Sequence, residues 1–405
     1  MRLLEEDQIT YTCDRFGLLQ VVSSLKIISV EAVPLRVSRT DVEHLDGSQD
    51  DVIIRIESDT GVEGIGEVDA SPEIVKSIVE APASHAWSKG LRQLLIGQDP
   101  FEVERLWDRM FKGSIYYGRR GAAIAAISGV DIALWDLAGK AKGKPVSELL
   151  HAGFRHQIPV YASLYPIGDT PEEVKRNCQL AISKGFRAVK LDGPPLGQDA
   201  KLDAEILQAA RECIGNAVLM VDVAEPGWDL KQGIARANMY SKYDLYFLEA
   251  PFGPEELENY RALSESAHVR IAYGEQHTTR FDFKQLMDQG KLDIVQPDIS
   301  RAGGITELRR IAHMAQERGV QMIPHCWKTG ISIAANLHLL SSLQNAPYLE
   351  FCQPPDSPLR YELLKHDFSV VDGGVQVPEG PGLGIELNEK ILEKYRIDRG
   401  SGVKD

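Results

Sequence analysis

The sequence has few features of a secreted or membrane-spanning protein. Its five cysteines are scattered and form no Cys-x-x-Cys pair, so a disulfide framework or a structural zinc site is not expected. No apolar run reaches the length of a transmembrane span, and the first residues lack the basic and apolar regions of a secretion signal. These absences favour a reducing compartment, and we expect a cytoplasmic protein without a membrane partner.

Positive charge is also scarce. The chain of 405 residues has 45 Lys and Arg against 59 Asp and Glu, which gives a net charge of −14. This excess of acid argues against nucleic acid or an anionic membrane surface as a partner. It does not exclude an anionic small molecule, because a bound metal ion can reverse the local field.

The length predicts two domains, or one large barrel with an attachment. In the first 150 residues the pattern indicates a small antiparallel sheet followed by helices, with a hairpin turn at Asp59-Thr60-Gly61. A polar stretch from residue 38 to residue 51, which contains His44, predicts a loop. We expect strands over 26–38, 51–56 and 62–68, and helices over 73–95, 101–112 and 121–140.

After about residue 157 short apolar runs alternate with amphipathic helices. Eight such runs recur at intervals of about 25 to 30 residues. They lie at 158–162, 188–191, 218–221, 245–248, 269–273, 292–295, 320–323 and 348–351. This alternation predicts an α/β fold with a (β/α)8-type barrel. A doubly wound open sheet is the main alternative, but no Gly-x-Gly-x-x-Gly follows a first strand.

The change in pattern suggests where the domains begin and end. We expect an N-terminal extension over 1–25 and an α+β domain over 26–152. The barrel is expected over 153–370, and a turn-rich C-terminal segment over 371–405 is expected to return to the α+β domain.

The predicted barrel strands carry charged or titratable side chains at their carboxyl ends, where barrel enzymes place their catalytic groups. These side chains are Lys190 and Asp192, then Asp222, Glu249, Glu275, Asp298, His325 and Glu350. Each acid taken singly could instead cap a helix or pair with a surface lysine. Three carboxylates on consecutive strands, Asp222, Glu249 and Glu275, need a cation between them, and oxygen donors suit Mg²⁺.

Asp298 and His325 lie on adjacent predicted strands at equivalent depth. A carboxylate beside an imidazole fixes its tautomer and raises its basicity, which is how a general base or acid is built. A buried histidine that merely satisfies a neighbouring acid is the alternative reading.

Four motifs together resemble the enolase superfamily, and within it the mandelate racemase group of the mandelate racemase/muconate lactonizing enzyme family. The resemblance covers about residues 26–400. The motifs are SGVDIALWDLAGK from Ser128, the three strand-end acids, Gln296-Pro-Asp-Ile with Gly303-Gly304, and Pro324-His325. The resemblance implies an enolase-like modified barrel, covered by a cap that the C-terminal segment completes, and a homo-oligomer.

The resemblance also implies roles for individual residues. It implies one Mg²⁺ per subunit on the three acids Asp222, Glu249 and Glu275. It implies that His325 is the base, with Asp298 as its partner. Glu350 would lie near the substrate carboxylate or enolate, and Lys190 would polarise that carboxylate.

The reaction type follows from Asp192. Family members with Lys-x-Lys on this strand use the second lysine as an opposing base, and Asp192 stands in its place. We therefore expect dehydration of a sugar acid, an aldonate or aldarate, rather than two-base racemisation. His325 would remove the proton α to the carboxylate, and the resulting enediolate would lose its β-hydroxyl to give a 2-keto-3-deoxy acid. Asp192 could itself be a base or bind a substrate hydroxyl.

Other outcomes remain open. An epimerase, a racemase or a cycloisomerase of the same superfamily is one alternative, and a barrel that only binds a ligand is another. Two residues close to the predicted metal ligands depart from the family's usual pattern. Ala224 stands in place of Asn and Ala250 in place of Glu, so the substrate of a family member cannot be assigned to this chain. Tyr117, Arg119 and His44 are further candidates for substrate binding, although cap packing or a solvated loop would also explain them.

Overall fold

The computed structural model describes residues 10–13, 19–22, 25–37, 47–150, 155–354 and 357–397. The first two of these segments pair with each other as antiparallel strands, β1 (Thr10–Cys13) and β2 (Leu19–Val22). His44 lies outside the described residues, so its predicted role in substrate binding stays a prediction.

The N-terminal α+β region is a three-stranded antiparallel sheet covered by helices, as the sequence predicts. Its strands are β3 (Ile27–Arg36), β4 (Asp50–Ser58) and β5 (Glu63–Val68), which lie in chain order. Its helices are α1 (Pro72–Glu80), α2 (Leu91–Leu95), α3 (Val103–Gly113), α4 (Ala122–Lys142) and α5 (Val146–Leu149).

The single helix predicted over 73–95 is wrong, because the structure has two helices there. Pro82 disfavours helical backbone at the residue before it, and Ala81 accordingly has a ψ of 139°. The first helix therefore ends at Glu80, and the second begins after Gly90.

Helix α4 lies against the sheet at unusually short range. A Cβ atom on Gly66 would come within 2.0 Å of the carbonyl oxygen of Gly129, so only glycine fits at this crossing. By length and composition α4 could cross a membrane, but 94% of its most apolar window is buried inside the fold. It is the core helix that joins this cap to the barrel.

The second region contains eight parallel strands, which confirms the predicted barrel. They are β6 (Gln157–Leu164), β7 (Ala188–Asp192), β8 (Val218–Asp222), β9 (Leu245–Glu249), β10 (Ile271–Tyr273), β11 (Ile294–Val295), β12 (Gln321–Met322) and β13 (Leu349–Cys352). The sheet runs from β12 back through β6 to β13, so the last strand pairs with the first.

A helix follows each of the first seven strands. These are α6 (Pro171–Ser183), α7 (Ala200–Ile214), α8 (Leu230–Tyr240), α9 (Leu257–Ser266), α10 (Thr279–Asp288), α11 (Gly304–Gln316) and α12 (Gly330–Ser341). The eighth strand is followed by the short α13 (Pro358–Glu362). This arrangement is a (β/α)8-type barrel.

The barrel interior is filled just below the candidate site. Inward side chains from six strands, and Ile323 just beyond β12, pack as one buried cluster: Tyr161, Ala188, Met220, Phe247, Ala272, Ile294 and Ile323. Because side chains alternate along a strand, the residue two positions further on points inward as well. Lys190, Asp222 and Glu249 therefore form a polar layer directly above the apolar one.

The motif beginning at Ser128 attaches the cap to the barrel. The Ser128 hydroxyl accepts a hydrogen bond from the Gly303 N–H at 2.7 Å, and the Asp131 carboxylate accepts one from the Thr306 N–H at 2.9 Å. Trp135 donates from its indole nitrogen to the Thr306 hydroxyl at 2.9 Å. These contacts hold the start of α11, and hence the loop before it, in a fixed position against the cap.

The C-terminal segment reaches the cap by way of the barrel. Strand β14 (Gly374–Gln376) pairs antiparallel with β6. Further along, the buried carboxylate of Asp136 in α4 accepts a hydrogen bond from the Leu383 N–H at 2.8 Å. Helix α14 (Glu389–Tyr395) then leads to a backbone bridge with the cap strand β3.

Candidate active site

Lys190 is the buried centre of the polar layer. Its Nζ lies 2.8 Å from Glu350 Oε1 and 2.9 Å from Glu249 Oε2, and also within 3.4 Å of Asp192 Oδ2 and 3.5 Å of Asp222 Oδ2. Burial opposes the charge on Lys190, but the surrounding carboxylates outweigh it and raise the pKa of Lys190 well above its usual value. One ammonium group thus forms ion pairs with four carboxylates.

One ammonium does not neutralise these acids. Burial, followed by repulsion from Glu249, raises the pKa of Asp222 to about 8 despite the nearby lysine. Burial likewise raises the pKa of Glu249 to about 7 and that of Asp192 to about 7. The Ser163 hydroxyl donates to Asp192 Oδ2 at 3.0 Å. This part of the site therefore favours additional positive charge.

His325 lies between two carboxylates. Its Nδ1 is 2.6 Å from Asp298 Oδ2, and its Nε2 is 2.9 Å from Glu275 Oε2. The Ser300 N–H holds the other oxygen of Asp298 at 2.6 Å. Burial lowers the pKa of His325, but Glu275 and Asp298 outweigh it and raise that pKa well above the usual value. The contact expected between Asp298 and His325 is present.

The pKa of Glu275 is lowered, whereas those of Asp222 and Glu249 are raised. Burial alone would raise its pKa, but His325 and Arg301 outweigh that effect and hold the pKa of Glu275 below its usual range. Arg301 lies 3.9 Å from Glu275 Oε1 and donates to Asp69 Oδ2 of the cap at 2.7 Å. Asp69 also pairs with Lys328 at 3.2 Å, so a network of buried charges joins cap and barrel at the edge of the site.

Asp222, Glu249 and Glu275 fit a magnesium ion by their donor chemistry. They offer oxygen ligands at or just beyond the ends of adjacent strands, and the raised pKa values of Asp222 and Glu249 mark a place where a dication would relieve repulsion. Among the described residues, no three His, Cys, Asp or Glu side chains already surround one point. Lys190 contacts the first two acids, and His325 contacts the third.

A cavity of about 230 Å³ opens over this layer. Four predicted site residues line it: Asp192, Asp222, Glu275 and His325. Residues that the sequence did not single out line it as well: Tyr165, Glu225, Gln276, Arg301 and Trp327. Glu225 follows the strand-end Asp222 by three positions and Arg301 follows Asp298 by three, but this spacing does not show that either side chain reaches the cavity. For the others we find no signal in the sequence.

The structure does not bring every predicted residue into the cavity. Tyr117 donates from its hydroxyl to the carbonyl of Lys89 at 2.7 Å within the cap, and Arg119 is exposed. The neighbouring Arg120 pairs with Asp282 of α10, which fits a packing contact between cap and barrel. Substrate binding by Tyr117 and Arg119 therefore gains no support from the geometry.

Glu350 lies inside the layer but behind the cavity. Its Oε2 accepts a hydrogen bond from the Cys326 N–H at 2.9 Å, and its side chain is fully buried. It holds Lys190 and the segment after β12 that carries His325, so the geometry supports an indirect part in binding.

Fold and site together define a capped barrel with a lysine, a cluster of carboxylates and a histidine–aspartate pair at its strand ends. Two family descriptions match this chain. "Mandelate racemase / muconate lactonizing enzyme, N-terminal domain" matches residues 23–151, and "Enolase C-terminal domain-like" matches residues 173–391. The chain belongs to the mandelate racemase/muconate lactonizing enzyme family of the enolase superfamily, which confirms the resemblance seen in the sequence.

Several relatives are named for reactions of sugar acids. The chain is 31% identical to D-galactarolactone cycloisomerase of Agrobacterium fabrum, over 85% of this chain and 91% of that protein. It is 32% identical to arabinonate dehydratase of Saccharolobus solfataricus, over 85% and 90%. It is 33% identical to D-galactonate dehydratase of Pectobacterium atrosepticum, over 87% and 92%.

Solved structures share the whole architecture. The 3,6-anhydro-D-galactonate cycloisomerase of Zobellia galactanivorans superposes with a TM-score of 0.82 at 32% identity, over 92% of this chain and 100% of that one. A racemase of Streptomyces coelicolor with bound magnesium superposes with a TM-score of 0.80 at 28% identity, over 92% and 100%.

Proposed function

We propose that this chain is a Mg²⁺-dependent hydro-lyase that dehydrates a sugar acid to a 2-keto-3-deoxy acid. The observation that carries the proposal is the 2.6 Å contact of His325 with Asp298 in a cavity whose opposite strand offers Asp192 instead of a second lysine. Relatives named as dehydratases of arabinonate and galactonate support the same reaction.

Charge balance comes first in this mechanism. Asp222, Glu249 and Glu275 would hold the Mg²⁺, which supplies positive charge against the carboxylate oxygens of the substrate. Lys190, buried beside two of these acids, adds a fixed positive charge where the enediolate develops. Because the charge is in place before the reaction, little reorganisation is needed as the proton leaves.

Proton transfer falls to His325. Asp298 holds Nδ1, which leaves Nε2 to face the substrate once its contact with Glu275 is replaced. Loss of the Glu275 contact removes the largest of the effects that raise the pKa of His325, and the neutral imidazole then takes the proton from the α-carbon. The imidazolium then returns a proton to the β-hydroxyl, which leaves as water, and the enol that remains tautomerises to the keto acid.

A cycloisomerase is the second candidate, because two similar proteins are named for cycloisomerisation. It would use the same base but would not release water. Asp192 lines the cavity and has a pKa raised by burial to about 7, so it is placed to bind a hydroxyl group in either reaction.

Further expectations accompany this proposal. We place the enzyme in the cytoplasm as a homo-oligomer that binds one Mg²⁺ per subunit, without nucleic acid or membrane as partners. We keep the cap at 26–152, the barrel at 153–370, and the flanking segments at 1–25 and 371–405.

The test is a screen of aldonates, aldarates and their lactones with Mg²⁺ in D₂O. A keto product, detected with semicarbazide, whose mass is one water less than that of its substrate supports dehydration. A keto product with the same mass as its lactone substrate supports the second candidate. If no acid gives a keto product, a rearranged product or deuterium at the α-carbon, the proposed function is wrong.

A further inference from the structure

Glu225 is held in the cavity by a strained loop. It lies just beyond the end of β8. Both Ala224 and Glu225 have positive φ angles, 48° and 54°, which residues other than glycine rarely adopt. The Ala224 N–H donates to Asp222 Oδ1 at 2.7 Å, and the Glu225 N–H donates to the Ala250 carbonyl at 2.9 Å. The backbone bonds thus offset the strain and determine where the carboxylate lies.

The carboxylate of Glu225 is only partly satisfied. Its Oε1 accepts hydrogen bonds from the Tyr273 hydroxyl at 2.7 Å and from the Gln276 amide at 2.8 Å. Within the described parts of the chain, Oε2 accepts no hydrogen bond, and no lysine, arginine or histidine forms an ion pair with Glu225. Glu225 lines the cavity, so its free carboxylate oxygen can accept a hydrogen bond from a polar ligand there.

Arg301, which lines this cavity, is already engaged by the protein. Arg301 is bound to Asp69 of the cap at 2.7 Å and lies 3.9 Å from Glu275. Its charge is therefore shared between two carboxylates of the protein. Among the residues that the structure describes, no other arginine lines this cavity, so a second carboxylate on the substrate would meet Glu225 without a free arginine to offset the repulsion.

We propose that Glu225 is a specificity-determining residue that selects sugar acids with one carboxylate. It accepts hydrogen bonds from hydroxyl groups remote from the reacting end, and its charge excludes a second carboxylate there. The substrate class is then aldonates rather than aldarates. This inference rests on the proposed function, because it assumes that a sugar acid occupies the cavity.

The experiment compares an aldonate with the aldarate of the same carbon number and stereochemistry. We expect the wild-type kcat/KM to favour the aldonate, and Glu225→Gln to reduce that preference roughly tenfold or more, since an amide removes the like charge. Glu225→Asp keeps the charge and should keep the exclusion of the aldarate. Glu256→Gln is the matched control, because Glu256 is an exposed acid near enough to influence the pKa of Glu225.

Binding supplies a readout that does not depend on turnover. Thermal shift of His325→Asn, alone and combined with Glu225→Gln, measures affinity for the same two acids. If wild type converts a sugar acid but Glu225→Gln leaves the preference unchanged in both assays, the role of Glu225 is overturned and the proposed function stands. If wild type converts none of the screened acids but binds an aldonate more tightly than the matching aldarate, and Glu225→Gln abolishes that difference, the dehydratase proposal fails and Glu225 keeps its role.

Discussion

Replacing Lys190 with methionine should destabilise the magnesium-free protein strongly. The side chain is fully buried, and its Nζ lies between 2.8 and 3.5 Å from the oxygens of four carboxylates. Methionine fills a similar volume without charge, so the acids lose their shared cation. Removing one partner of a buried ion pair costs roughly 3–5 kcal/mol. For a chain of 405 residues, an unfolding entropy of roughly 2.1 cal/mol/K per residue gives roughly 1.2 °C per kcal/mol, so the melting temperature should fall by roughly 4–6 °C.

The pH dependence of this loss identifies its cause. The pKa values of Asp222 and Glu249 are already raised, to about 8 and about 7, and loss of Lys190 raises them further. The folded variant then binds more protons than the unfolded chain between roughly pH 4 and pH 8, so its stability increases as the pH falls. Saturating Mg²⁺ should also restore part of the loss, because it supplies charge to the same acids.

The assay is thermal unfolding with chelator and with Mg²⁺ at pH 6, 7 and 8. Lys201→Met is the matched control, since Lys201 is 87% exposed and its single pair with Glu205 spans 3.6 Å. That variant should melt within about 1 °C of wild type. A Lys190→Met melting temperature that is equally close to wild type, at every pH, would refute the view that this lysine balances the charge of the site.

Three further predictions concern the scaffold. Gly66→Ala should destabilise the protein by roughly 1–3 kcal/mol in urea unfolding, because the new Cβ would lie 2.0 Å from a carbonyl oxygen of α4; unchanged stability would contradict this close packing. Asp69→Asn should cost roughly 1–3 kcal/mol by weakening the ion pair with Arg301, and an unchanged urea midpoint would contradict that pair's role. Burial lowers the pKa of His338 to about 4, so the folded state takes up fewer protons than the unfolded state between about pH 6.5 and pH 4, and stability falls by roughly 3 kcal/mol as the pH drops through this window. His338→Asn, which keeps an acceptor for the Ser147 N–H, should remove most of that slope in urea unfolding; an identical slope would contradict the assignment.

The barrel and the centre of its site could be predicted because both depend on local periodicity. The alternation of side chains along each strand places Lys190 and Asp192 on one inward face. In the structure Lys190 Nζ lies 3.4 Å from Asp192 Oδ2. Strand ends that share one edge bring Asp298 and His325 together for the same reason. The break after α1 also had a local signal, the pair Ala81-Pro82, which our reading of one continuous helix overlooked.

The rest of the site depends on information that is not local. Arg301 acquires its partner Asp69 from the cap, a neighbour 232 positions away in the chain. Glu225 reaches the cavity through two left-handed residues in a row, a conformation that no residue type in this stretch announces. The rim of the cavity was therefore missed, whereas its base was found.

In the proposed reaction His325 is the one base. The most direct measurement is NMR of a sugar acid that wild type converts, incubated in D₂O with Mg²⁺ and His325→Asn. We predict no keto product and no deuterium at the α-carbon, while Mg²⁺ still raises the melting temperature of the variant. Deuterium exchange that persists in His325→Asn would reveal a second base, for which Asp192 is the candidate, and would contradict the proposal that His325 is the one base.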